Sequence, residues 1–96
     1  MSALIDKIAT RFRKEAPSAL RVELPPHLRL PAGLVEVHVR LSKADWRLAQ
    51  KLDWDDVYEA MGVVPRALTF IPRDEKHPWK VVVRCVRADV EKLCHG

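Results

Sequence analysis

VEVHVRL, residues 35–41, alternates apolar and polar side chains without a break: Val35, Val37, Val39 and Leu41 on one side, Glu36, His38 and Arg40 on the other. That is the period of a strand that buries one face and wets the other. The stretch ends at Ser42, and its sequel changes period. Ser42 with Asp45 and Asp53 with Asp56 each set a capping side chain three residues ahead of an acid, which marks two consecutive helix starts. The first helix turns Trp46, Ala49 and Leu52 inward. The second carries Trp54, Val57, Tyr58 and Met61 at i, i+3, i+4, i+7, and Gly62 suits the position that closes it.

Upstream, Ser2 caps a helix whose Leu4, Ile5, Ile8 and Phe12 recur at helical spacing, with Lys7, Arg11 and Lys14 forming a basic stripe on another side. Pro17 is expected to end it. Leu20, Val22 and Leu24 then alternate with Arg21 and Glu23 until Pro25 and Pro26, a further strand expected to form a hairpin with residues 35–41. Downstream, residues 68–71 and 79–85 read as a second pair of strands around a polar turn at 72–78, and residues 88–94 as a closing helix. The expected fold is a small single α+β domain over residues 1–96, in the order αββααββα, with an antiparallel sheet of about four strands in two hairpins.

Charge is distributed unevenly. Residues 53–65 hold Asp53, Asp55, Asp56 and Glu59 with no Lys or Arg, leaving nine acidic residues against 17 basic ones elsewhere. An acidic helix beside a broad positive surface is the arrangement of a binding protein. At 48% hydrophobic and 31% charged, the composition is that of a folded chain. No apolar stretch approaches the ~20 residues that cross a bilayer, and the first 14 residues lack the apolar run of a secretory signal. Cys85 and Cys94 are too few for a disulfide framework. These features predict a cytoplasmic protein with no membrane partner. Asn is absent, Gln occurs once, and ten Arg exceed seven Lys, a composition that a GC-rich bacterial or phage genome produces.

Chemistry finds little support in these residues. Asp74-Glu75-Lys76, taken with an acid near residue 55, resembles the pieces of a metal-dependent nuclease only loosely, with the first acid on a helix and the second in a turn. His27, His38, His77, His95, Cys85 and Cys94 show none of the spacings that preset tetrahedral ligands. Cys85 points with the apolar side of its strand, where a thiol is inert, and the three glycines are too scattered to cradle phosphate. No catalytic residue, metal or cofactor is therefore expected. The expected activity is stoichiometric protein binding, as a regulator, inhibitor or assembly adaptor, through Trp46, Trp54, Asp55, Asp56, Tyr58 and Glu59, because Trp and Tyr are enriched where interfaces concentrate their energy. The alternative is nucleic-acid binding through Lys7, Arg11, Arg13 and Lys14, supported on strand faces by Arg21, Arg29, Arg40, Lys80 and Arg84. An outward Val82 and Val86 would favour self-association as a homodimer.

Overall fold

The computed structural model describes residues 3–21, 27, 30–72 and 79–95. Seven elements follow in the order α1 (Ala3–Ala19), β1 (Leu34–Leu41), α2 (Lys43–Ala49), α3 (Trp54–Met61), β2 (Pro65–Ile71), β3 (Trp79–Val86) and α4 (Arg87–His95). Among the described residues the protein is a small α+β domain of four helices and a three-stranded antiparallel sheet. Its radius of gyration of 13.0 Å is close to the ~12.5 Å expected of a single globular unit of this length.

The alternation of residues 35–41 appears as β1, with Val35, Val37, Val39 and Leu41 buried and Glu36, His38 and Arg40 on the other side. Its partner is β3, and the sheet order is β1-β3-β2. Val37 lies opposite Val83 and Val39 opposite Val81; Phe70 faces Val81 from β2. β3 thus runs between the two halves of the chain and joins them in one sheet. The alternation along β3 matters less than its central place, because neighbours on both sides bury Val81, Val82 and Val83 together.

α1 lies across the inner face. Ile5, Ile8, Ala9, Phe12 and Ala16 form its buried stripe, the i, i+3, i+4, i+7, i+11 spacing of one helical side. Phe12 and Ile8 are among the largest side chains wholly removed from water. Both expected caps of the central helices are present. The Ser42 hydroxyl accepts from Asp45 N at 3.1 Å, and the Asp53 carboxylate accepts from Asp55 N at 3.1 Å. α3 closes at Gly62, whose φ of +82° is left-handed backbone that glycine adopts without steric cost.

Four expectations are corrected. Pro17 lies inside α1, which runs on to Ala19. The ring deprives the Arg13 carbonyl of its intrahelical partner, but this falls in the last turn, where Ala16 is already anchored in the core. Three strands stand among the described residues where about four were expected, so the order departs from αββααββα. Of the expected first strand, Leu20 and Arg21 form a turn, closed by Arg21 N donating to Ser18 O at 3.1 Å; residues 22–26 lie outside the described residues, as do Ser2, Arg29, Asp74-Glu75-Lys76 and His77. Val82 is 1% exposed and buried, since the central strand holds it between Thr69 and His38. Lys80 is buried for the same reason, with its Nζ 2.8 Å from His38 Nδ1.

Candidate functional site

Trp46 and Trp54 come together, but in a cluster that faces inward on itself. The Trp46 ring sits 4.7 Å from that of Trp79 at a tilt of 43° and meets Phe70 edge-on at 6.0 Å. Trp54 meets the same Phe70 edge-on at 5.5 Å and lies 5.8 Å from Tyr58. Such pairs contribute about 0.5–1.5 kcal/mol each beyond the area they bury. Both indole N–H groups are engaged: Trp46 Nε1 donates to Lys80 O at 3.2 Å, and Trp54 Nε1 donates to Ala49 O at 2.9 Å. The two tryptophans, half-buried, therefore pin α2 and α3 to β2 and β3. Lys43 Nζ approaches the Trp79 ring to 5.6 Å, within the reach of a cation–π contact.

The acids of α3 behave differently from one another. Asp53 is a cap. Asp55, Asp56 and Glu59 are exposed, and none has an ion-pair partner among the described residues. Tyr58 is half-buried between them and the core. Burial pushes its phenol above the ordinary value, and the Asp55 carboxylate adds to the shift. Beside Tyr58 and Glu59, a shallow depression of about 330 Å³ is lined also by Gly62, Val63, Val64 and Asp89. Val64 is 68% exposed, so an aliphatic side chain stands in water next to two carboxylates. Neither Val64 nor Asp89 was singled out from the sequence. The Val63-Val64 pair after Gly62 carried a signal, since one of two successive residues entering a strand must point outward.

The basic stripe of α1 is largely committed. Lys7 Nζ pairs with Asp45 Oδ2 at 2.5 Å. The Lys7 hydrogen bond, as the leading cause, holds the Asp45 carboxyl below its usual range, against a smaller opposing effect of burial. Arg11 Nη1 donates to Arg40 O at 2.8 Å, and Arg13 Nη2 donates to Ala60 O. Lys14 is exposed with no partner among the described residues. On the outer sheet face, Arg84 is half-buried, paired with Glu36 at 3.3 Å and donating to Thr69 Oγ1 at 3.3 Å.

Cys85 is buried, and burial, with a contribution from Asp89, pushes its thiol up to about 11. Cys94 is a half-buried free thiol on α4. No three His, Cys, Asp or Glu side chains converge as a metal would require among the described residues, and no helix there is long and apolar enough to cross a membrane. Comparison with known protein families, with curated proteins and with solved structures finds no match.

Proposed function

We propose that this chain works without catalysis, by stoichiometric binding of a basic protein surface to the outward face of α3, as a regulator, inhibitor or adaptor. The observation that carries this reading is the set of exposed carboxylates of Asp55, Asp56 and Glu59, unpaired among the described residues, beside Asp89 and the exposed Val64. Carboxylates already paired within the chain would have to break those pairs to meet a partner, whereas free ones steer and orient a cationic surface directly. Tyr58 and Val64 supply the apolar contact that charge alone does not give. The tryptophans act at one remove, by holding α3 in place.

Nucleic-acid binding through Lys7, Arg11, Arg13 and Lys14 has thinner support, since an ion pair or a main-chain carbonyl already occupies three of the four. An affinity pull-down from host lysate with and without nuclease, at low and at high salt, separates the two readings. The acidic-face reading predicts a protein captured equally after nuclease and released by salt. Recovery of nucleic acid, with proteins lost after nuclease, would contradict it.

A further inference from the structure

If the outward side of α3 receives a basic protein, as the reading above holds, the depression at the far end of that helix decides which cation it accepts. α3 closes at Gly62 against α4, where a Cβ on Gly62 would meet Leu93 Cδ1 at 3.5 Å. The two helices also share α1 as their support. The depression between them, of about 330 Å³, is at the low end of the ~300–1,000 Å³ of ligand sites, which suits one long side chain. Two kinds of surface meet in it. Its floor is apolar: Gly62 has no side chain, Val63 is buried, and Val64, at 68%, is the most exposed large hydrophobic among the described residues. Its rim is acidic, with Glu59 contributed by α3 and Asp89 by the first turn of α4. Neither carboxylate, nor the Tyr58 hydroxyl beside them, has a hydrogen-bond or ion-pair partner among the described residues. Arg13, which reaches the same end of α3, is committed to Ala60 O.

We propose that this depression receives a single arginine side chain of the protein partner, its aliphatic stem along Val64 and its guanidinium against Glu59 and Asp89 beside the Tyr58 ring. Charge complementarity selects a cation, because two carboxylates and no basic side chain line the depression. The apolar floor then selects among cations. A lysine ammonium is compact and strongly hydrated, and loses more of its hydration on approaching aliphatic carbon. A guanidinium is weakly hydrated and planar, with five donors in a fixed fork. It can therefore serve carboxylates from two separate elements and still lie against an aromatic face. Arginine is also enriched where interfaces concentrate their binding energy. Asp55 and Asp56 stand in the first turn of α3, at its other end. They attract and orient the basic surface, while the depression fixes its position on the helix.

Hexa-arginine and hexa-lysine, peptides of equal charge, test this by titration into the isotope-labelled full chain at low salt, followed through its amide chemical shifts. Hexa-arginine is expected to move the amides of Gly62, Val64 and Asp89 most, and to bind at least about threefold tighter than hexa-lysine. Glu59→Gln with Asp89→Asn keeps the shape and removes both charges; it is expected to weaken hexa-arginine by at least about fivefold. Val64→Ser, at an exposed position, is expected to bring the two peptides within about twofold of one another. The amide spectra of the variants confirm that each is folded. Hexa-arginine that binds no tighter than hexa-lysine, that moves only the amides of Asp55 and Asp56, or that keeps full affinity for the Glu59 and Asp89 variant would overturn the arginine site and leave the acidic-face reading standing. Binding of neither peptide to α3 would overturn both.

Discussion

α1 and α3 carry the two strongest charge runs of the chain, and they spend them in opposite ways. On α1, Lys7, Arg11 and Arg13 reach Asp45, Arg40 O and Ala60 O, so the stripe ties the helix to α2, β1 and the end of α3. At the start of α3, Asp53 is consumed as a cap, while Asp55, Asp56 and Glu59 are exposed and have no ion-pair partner among the described residues. Formal charge is therefore a poor guide to what a surface can recognise. The decisive matter is whether each group already has a partner, because exposed pairs are individually worth little and yet occupy their members.

If α1 is chiefly a structural helix, the largest effect comes from its inner side. Phe12→Ala removes a side chain with no exposure from the contact between α1 and the sheet. It is expected to cost about 3–5 kcal/mol, a large share of the roughly 5–15 kcal/mol that holds a domain of this kind together. Urea unfolding should show the midpoint falling steeply, with an unchanged slope if the fold is retained. A loss below about 1 kcal/mol would mean that α1 docks through its charged side after all.

A smaller effect sharpens the same contrast from the charged side. The Asp45 carboxyl is held below its ordinary value chiefly by Lys7. A group whose folded pKa is depressed stabilises above its unfolded value, near 4, and that contribution is lost as pH falls through the folded value. Asp45→Asn is thus expected to lower stability at pH 7 by no more than about 1 kcal/mol and to flatten the acid limb of a melting-temperature profile below about pH 5. An acid limb as steep as that of wild type would show that the Lys7 pair contributes nothing.

Much of this arrangement is legible in the sequence, and the parts that are not share a cause. VEVHVRL, the Ser42 and Asp53 caps and the Gly62 terminus rest on local chemistry, and each stands where its period or its cap places it. Lys80 and Val82 read as outward residues because alternation identifies faces, but it says nothing about which strand is central. The central position of β3 is a long-range outcome, settled by the pairing of β1 with β3 across the intervening α2, α3 and β2. Pro17 reads as a stop because its missing N–H is a local fact, whereas Ala16, which carries the helix through it, is held by packing. The same limit applies to the site. Trp46 and Trp54 read as a surplus available for binding, but Trp79 and Phe70, distant in sequence, gather them into one cluster. That Asp55, Asp56 and Glu59 have no ion-pair partner among the described residues is equally invisible, since a sequence shows charges and not their partners.

The most direct measurement compares the two helices through their unpaired charges. Capture of the partner is measured for wild type, for Asp55→Lys with Asp56→Lys, and for Lys14→Glu, each confirmed folded by its melting temperature. The account predicts that the α3 variant loses capture by at least about tenfold while remaining folded, its melting temperature lowered only by the loss of two first-turn acids, each worth about 0.3–1 kcal/mol against the helix dipole, and that Lys14→Glu captures as wild type does. Capture unchanged by the reversal on α3, or abolished by Lys14→Glu, would contradict it.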